Sequence, residues 1–480
     1  GAMRLNRLPR PPTRPRGTFD YSQSFSTRGT SGGSGPSNMS LVAGAASSRT
    51  MSRRIEDFTV GDKATLPLRP LARASTGAHL NLWERDDPFY APGIFEGSGP
   101  WWCHWKIEPS PPGDPVGTRK VPDFSTDTTL MRRMAGLLAA QRVVAALAGW
   151  HQLSSKQLSA IVGYPFTKLS RILKPLFELG IVERGHYPKE QVFLRTDYLY
   201  RLRIDKPLRT FLGLLDDETR YSVTLGIAPV PAGAAVRHDL LAAEFAIRAL
   251  ELIPGVVAVF PESVSSPSLL LRHLGRKETW RGDLTLLRSD GLRIVIEITR
   301  ARHPGEIEFK MRRWGRLLMT HNWHETGLMV VFVNAAVPNS GLESIEGEHR
   351  MQARLLRDTY TRALSQECLS SDEVRAMWRH LARARAQIHL ASWMDWFPAP
   401  GLVSGSFPSL PTVFNAGDGR WRRRGLSDPN GFWDFDPWPR TARIVNAHLA
   451  NYQKAYSCPR FRWQPAANRS LHPVVSRDKA

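Results

Sequence analysis

The sequence has few cysteines and no long apolar run. Its three cysteines, Cys103, Cys368 and Cys458, form no CxxC pair, which excludes a disulfide framework and a zinc ribbon. Nowhere do about 18 consecutive apolar residues occur that could span a bilayer, and the first residues lack the apolar segment of a secretory signal. We therefore expect a cytoplasmic protein that does not enter the membrane.

Acidic residues are also scarce, and the charge balance indicates the kind of partner. Asp and Glu number 44 against 65 Lys and Arg, which leaves a net charge of +21. Such a surplus favours a polyanionic partner, nucleic acid before a membrane surface, although a merely basic surface is the alternative. The chain of 480 residues exceeds one hydrophobic core of about 250–300 residues, so we expect two or three domains.

Both ends of the chain are predicted to be irregular. Residues 1–55 carry nine arginines and one acid, Asp20, among Pro, Ser, Gly and Thr, and are predicted to form a disordered basic arm. Residues 56–125 are predicted to be an irregular extension whose tryptophans dock on a neighbouring domain rather than stack on bases. Residues 366–480 are predicted to form one helix and an irregular extension, with packed tryptophans and arginines near phosphates.

Residues 126–205 show helical periodicity followed by a hairpin pattern. A first helix is predicted over 130–150, a second after the capping residue Ser154, and a third after Thr167, each ending near a glycine. Two apolar runs then predict a two-stranded hairpin. Three helices and a hairpin are the elements of a winged helix-turn-helix domain.

The stretch LSSKQLSAIVGYPFTKLSRILKPLFELGIVERG resembles the bacterial winged helix-turn-helix pattern, including the leucines before the glycine that opens the wing. The resemblance implies that the third helix enters the major groove of duplex DNA and that the wing lies near phosphates. The residues that it places at DNA are Thr167, Lys168, Ser170, Arg171 and Lys174 on the helix, and Arg184, His186 and Lys189 on the wing. Pro175 departs from the pattern, because a proline inside a helix removes a hydrogen bond and bends the axis. Winged helices also dock proteins, which is the alternative function for this domain.

A linker over 226–235, which contains Pro229 and Pro231, precedes a longer domain predicted over 236–365. Its apolar runs alternate between helical and strand spacing, and an Asp-Gly pair between two of them predicts a tight hairpin. The predicted order is αβββαβα. The fold class is therefore α/β plus a winged helix, with long irregular extensions at both ends.

That order resembles the restriction-endonuclease-like PD-(D/E)XK core, in which an Asp opens the second strand and Glu-x-Lys ends the third. Asp283 and Glu297 match those carboxylates, and the resemblance implies that they share a Mg²⁺ ion that activates water for phosphodiester cleavage. Thr299 stands where the lysine belongs, so Lys310 on the next helix is predicted to reach back, and Glu244 is a further candidate ligand. The alternative is that both carboxylates form ion pairs with neighbouring cations.

The string VIEITRARHPGEIEFKMRRW, with His238 near the start of the domain, is similar to the replication-relaxation family of actinobacterial plasmids and integrative elements. Glu297, Lys310 and Trp314 match that family's pattern, whereas Thr299 replaces its Asp. The resemblance implies DNA-associated work in replication, transfer or maintenance of mobile DNA.

The expected protein binds double-stranded DNA, is associated with the nucleoid or a plasmid, and works beside other replication or transfer proteins. Its endonuclease-like domain is predicted to be weakly active or inactive, because the local lysine is missing. Three alternatives stay open: a metal-dependent DNA nuclease, a transcriptional regulator that acts as a homodimer, and a protein-docking factor.

Overall fold

The computed structural model describes residues 65–67, 85, 87–90, 100–103, 125–186, 198–233, 235–253, 256–271, 274–288, 292–299, 304–335, 345–365, 371–399 and 402–427. The predicted basic arm, Trp83, Trp105, Lys189 and the chain after residue 427 lie outside these ranges. In the described part, no helix combines the length and apolarity needed to cross a membrane.

The chain folds as a mixed α/β protein. The helices are α1 Thr128–Ala135, α2 Leu138–Trp150, α3 Ser155–Val162, α4 Phe166–Glu178, α5 Lys206–Gly213, α6 Asp217–Thr224, α7 Val236–Leu252, α8 Pro267–Leu270, α9 Pro304–Thr320, α10 Trp323–Thr326, α11 Ile345–Ala363, α12 Ser371–Gln387 and α13 Trp393–Trp396. The strands are β1 Thr65–Pro67, β2 Trp101–Cys103, β3 Gln152–Ser154, β4 Val182–His186, β5 Leu199–Leu202, β6 Val256–Pro261, β7 Leu284–Arg288, β8 Arg293–Thr299, β9 Leu328–Asn334, β10 Ile388–Ser392, β11 Leu402–Ser404, β12 Pro411–Asn415 and β13 Trp421–Gly425.

The region predicted as three helices and a hairpin contains four helices and a small sheet. The expected first helix is divided, because α1 ends at Ala135, with Gly136 as its C-cap, and α2 begins at Leu138. Ser154 caps α3 through a capping box with Gln157, as predicted. The expected cap at Thr167 is wrong, since α4 already begins at Phe166 and Thr167 lies inside it.

The small sheet is larger than the predicted hairpin. Its order is β2-β4-β5-β3, and all its neighbouring strands are antiparallel. Strand β2 comes from the stretch that was predicted to be irregular, and it pairs Trp102 with Gly185. The ring of Trp102 is half-buried and lies under the guanidinium of Arg201, 3.9 Å from its carbon. This tryptophan therefore packs against the strand β5, on which Arg201 lies.

The large sheet has the order β13-β12-β10-β9-β8-β7-β6. Strands β6, β7 and β8 are antiparallel neighbours, whereas β8, β9 and β10 are parallel. The predicted αβββαβα order of elements is present from α7 to α11, with the short helices α8 and α10 added. The residues of the predicted Asp-Gly turn between β7 and β8 lie outside the described ranges.

The two faces of this sheet carry separate cores, because alternate side chains of a strand point to opposite faces. Ile294 and Ile296 belong to a core shared with α7 and the helices α2 to α4, whereas Val295 packs with residues of α9, α11 and α12. Helices α2 to α4 thus rest against α7 on one face, and α9 covers the other. Both predicted carboxylates lie between these layers.

The C-terminal region is the main departure from the expected fold. The prediction was a helix followed by irregular chain after residue 366, whereas β10, β12 and β13 extend the large sheet. Trp393 and Trp396 are 0% exposed and join the core beside α7. The apolar runs are short and separated by Pro, Gly and Ser, so their pattern does not distinguish strand from loop. The predicted boundary at residue 365 therefore cuts through a continuous sheet.

Arg85 and residues 87–90 also attach to the core. Arg85 and Arg248 both bind Oε1 of the fully buried Glu244, at 3.1 and 2.9 Å. Arg248 also binds Asp87 at 2.9 Å, and Phe89 is completely buried against Trp393. This network holds an N-terminal segment against α7.

Candidate functional site

The sheet brings together most of the residues predicted for catalysis. Asp283 lies directly before β7, and its backbone N–H donates to the carbonyl of Ile296 at 3.0 Å, one residue from Glu297 on β8. Lys310 lies on α9, which covers the sheet face that Val295 occupies. Gly282 permits the close approach, because a Cβ there would lie 2.2 Å from the Val295 side chain.

Lys310 reaches back to both carboxylates. Its Nζ lies 2.6 Å from Glu297 Oε2 and 3.9 Å from Asp283 Oδ1. The indole N–H of Trp314, one helical turn further along α9, donates to Glu297 Oε1 at 2.8 Å. Glu297 is thus held from α9 through both of its oxygens, while its side chain is 1% exposed.

Asp283 has a partner that the sequence prediction did not assign. Nε2 of His238, at the start of α7, lies 3.0 Å from Asp283 Oδ2, and the same oxygen accepts the backbone N–H of Ile298. Nδ1 of His238 lies 3.6 Å from Asp239. The only sequence signal was a histidine near the start of a mostly apolar helix, and nothing in its spacing connects it with a carboxylate 45 residues later.

Charge and burial shift the pKa values of the two carboxylates in opposite directions. Burial opposes ionisation of Asp283, but the positive charges of His238 and Lys310 outweigh it and lower the pKa of Asp283 to about 2. Burial and then the neighbouring charge of Asp283 raise the pKa of Glu297 to about 7. Burial disfavours protonated His238, yet Asp283 raises the pKa of this imidazole to about 10. At neutral pH the cluster therefore holds an imidazolium, an aspartate and an ammonium, with Glu297 near its midpoint.

This arrangement does not fit Mg²⁺. Two carboxylates that share the ion need free oxygens turned towards it. Here Asp283 Oδ2 and both oxygens of Glu297 already accept protein hydrogen bonds. His238 and Lys310 supply the positive charge that the ion would bring, so the metal would have to displace them. Within the described ranges, no group of three or more His, Cys, Asp or Glu residues is arranged to hold a metal ion.

Thr299 and Glu244 do not join this cluster. The hydroxyl of Thr299 donates to the carbonyl of Val333 at 2.8 Å, on the neighbouring strand. Glu244 is occupied by Arg85, Arg248 and the amide of Gln157, which lies 3.2 Å from Oε2. The charges of Arg85 and Arg248 lower the pKa of Glu244 in spite of its burial. Glu244 thus connects α7 with α3 and the N-terminal segment, which is a structural role.

A second cluster of predicted residues lies on α4. Leu169, Ile172, Leu173 and Leu176 face the core, and the opposite face is exposed. That exposed face carries the five predicted contact residues, Thr167, Lys168, Ser170, Arg171 and Lys174. Because buried and exposed positions alternate with helical spacing, the five side chains form one surface. We call it the α4 surface.

The contacts on the α4 surface leave most of its charge available. The ammonium of Lys168 lies 4.1 Å from the ring centre of Tyr164, and Lys174 lies 4.0 Å from Glu178. Arg171 is exposed beside them. Helix α4 continues past Pro175 to Glu178, so the proline does not end it.

The predicted wing residues do not form one exposed surface in the described part of the chain. Arg184 is half-buried, and its guanidinium lies over the rings of Phe177 and Tyr198, at 5.3 and 4.5 Å. Its role in packing was not predicted. The backbone of His186 pairs with Trp101, and Lys189 lies outside the described residues.

Comparisons with protein-family models, with curated proteins and with solved structures find no match for this chain.

Proposed function

We propose that this protein binds duplex DNA through the α4 surface of a winged helix, in the replication, transfer or maintenance of mobile DNA. Its endonuclease-like domain is weakly active or inactive. The observation that carries the proposal is the exposed face of α4, which places Lys168, Arg171 and Lys174 together on a helix that its opposite face fixes to the core.

The order of elements around α4 supports the proposed winged helix. Helices α2, α3 and α4 are followed by the antiparallel strands β4 and β5, which is the arrangement expected of a winged helix. In that arrangement the last helix contacts base edges, while cations around it contact phosphates. The net charge of +21 supplies the long-range attraction to a polyanion.

The second half of the proposal, a weakly active or inactive endonuclease-like domain, is supported by the contacts of Asp283 and Glu297. The ammonium of Lys310 and the imidazolium of His238 neutralise Asp283 and Glu297 within the protein. Such a cluster joins α7, the sheet and α9, and it stabilises the domain without a metal. The endonuclease-like domain then serves as a scaffold that holds the winged helix.

Binding to a labelled duplex of about 30 base pairs, measured by fluorescence anisotropy over a range of salt concentrations, tests the first half. Arg171→Ala and Lys174→Ala should each weaken binding by about 1–3 kcal/mol where base-edge contacts are lost, and should leave the folded structure intact. Arg209→Ala on α5 is the matched control, because this arginine is also exposed but lies on another helix. Equal small losses in all three variants, or an affinity that does not change with salt, would refute binding through the α4 surface.

One observation favours the nuclease as a second candidate: Lys310 does reach both carboxylates, as a displaced catalytic lysine must. A supercoiled-plasmid assay with magnesium, manganese or a chelator distinguishes the two readings. We expect weak or no nicking. Metal-dependent cleavage that Asp283→Ala, Glu297→Ala and Lys310→Ala each abolish, while duplex binding persists, would establish the nuclease instead.

A further inference from the structure

The outward face of α9 carries an exposed aromatic ring next to Lys310. Phe309 is 60% exposed. The guanidinium carbon of Arg313, one turn along the helix, lies 5.1 Å from the centre of this ring and 4.8 Å from the ring of Trp280. Phe309 and Arg313 share a face of α9, because residues four apart on a helix lie on the same side. Trp280, from outside the helix, also lies next to the Arg313 guanidinium. The three side chains form a ladder of ring, cation and ring. We call it the α9 ladder.

The inner end of the α9 ladder is anchored in the core. Trp280 meets Trp314 edge to face, with ring centres 4.3 Å apart. Trp314 is 0% exposed and donates to Glu297. The ladder therefore has a rigid base at the carboxylate cluster and an outer ring, Phe309, in contact with solvent.

The charged residues that follow the outer ring on α9 are positive, whereas Glu306 and Glu308 precede it. Every charged residue of α9 after Phe309 is a cation, namely Lys310, Arg312, Arg313 and Arg316. Arg312 is paired with Glu308, whereas Arg316 is exposed three residues after Arg313. An aromatic ring beside cations at this spacing suits a ligand that has a flat ring and an anionic backbone, because bases stack on such rings and arginines contact both bases and phosphates.

We propose that the α9 ladder binds an unpaired base of single-stranded nucleic acid, which stacks on Phe309 while Arg313 and Arg316 contact its backbone. The proposal deepens the function proposed above and rests on it, since it adds a single-strand site to a duplex-binding protein. A base inside a duplex is already stacked on its neighbours. The ligand is therefore a single-stranded segment or a frayed end.

The test compares three labelled ligands of about 20 nucleotides: oligothymidylate, a strand of abasic sites with the same backbone charge, and a duplex. Affinities of the full chain are measured by anisotropy. Oligothymidylate should bind about 5- to 150-fold more tightly than the abasic strand, since stacking contributes about 1–3 kcal/mol per base. Phe309→Ala should remove most of that preference without changing abasic or duplex binding, and Phe309→Trp should retain it. Met351→Ala, which changes another strongly exposed apolar residue on α11, should have no effect.

Two outcomes would overturn the proposal: wild-type protein that binds the abasic strand as tightly as oligothymidylate, or Phe309→Ala that keeps the full preference. Oligouridylate shows whether the source of the base matters. Equal affinity assigns the site to unpaired bases in general, and weaker affinity assigns it to DNA. The duplex arm keeps the two proposals separate, because loss of duplex binding in the α4 variants concerns the winged helix alone.

Discussion

Replacement of Lys310 by methionine tests whether the charge of this lysine stabilises the buried carboxylates Asp283 and Glu297. Methionine keeps an unbranched apolar stem but removes the charge that lies 2.6 Å from Glu297 Oε2 and 3.9 Å from Asp283 Oδ1. Glu297 is 1% exposed, so water does not replace the lost partner. The variant must either bury an unpaired carboxylate or keep Glu297 protonated. Protonation costs less, because burial and Asp283 already raise the pKa of Glu297 to about 7.

The cost of this substitution depends on pH. A raised carboxyl pKa means that the folded state keeps a proton that the unfolded state has lost, so stability falls as pH rises between the two pKa values. In the wild-type protein that fall ends at about pH 7, whereas without Lys310 it continues to higher pH. Each pH unit contributes about 1.4 kcal/mol, so the deficit of the variant should grow by up to about 3 kcal/mol from about pH 7 to about pH 9.

Urea unfolding followed by tryptophan fluorescence, at several pH values between about 6 and 9, measures this deficit. The double variant Lys310→Met/Glu297→Gln is the control, because a neutral amide has no proton to lose. Its deficit should not grow between about pH 7 and about pH 9. A deficit of Lys310→Met that is independent of pH, or an equal growth in the double variant, would refute the balance of charges described here.

Three further predictions concern stability, measured by urea unfolding. Gly282→Ala should destabilise the protein by about 1–3 kcal/mol, since its Cβ would overlap Val295, and an unchanged midpoint would contradict the close packing there. Arg85→Met should cost about 3–5 kcal/mol, because it leaves the buried Glu244 with one fewer cation, and a loss as small as that of a surface arginine would contradict the network. The stabilising contribution of His238, whose pKa is raised from 6.5 to about 10, is complete at low pH and is lost as pH rises through that interval. His238→Gln should lack this decline, and a decline equal to that of the wild-type protein would assign it to other groups.

Local patterns were sufficient to predict the elements that position the candidate sites. The helical spacing of α4 identified its exposed face, and the apolar runs of β7 and β8 placed Asp283 and Glu297 on adjacent strands. The resemblance to the PD-(D/E)XK core also implied that Lys310 could reach back to the carboxylates, and the structure has that contact.

Contacts between distant parts of the chain could not be predicted, because no local sequence pattern indicates them. The pair Arg85 and Glu244 joins residues 159 positions apart, so neither residue indicates the other in the sequence. His238 likewise meets Asp283 only after the sheet and α7 have packed. The resemblance makes Glu244, on the first helix of the domain, a further candidate ligand, but an acid at such a position fits an internal ion pair equally well.

The continuation of the large sheet beyond β9 has a consequence for aggregation. Strand β9 is buried at all seven of its residues and pairs on both sides, with β8 and with β10. Cleavage near residue 365 would remove β10 and expose a row of unpaired backbone groups along an apolar strand, which is a template for association with other chains. Within the described residues the sheet instead ends at β13, where Arg422 and Arg423 are exposed. Charged side chains on an edge strand disfavour the addition of another strand. Strands β10, β12 and β13 therefore cover the apolar strand β9 and end the sheet at a charged strand.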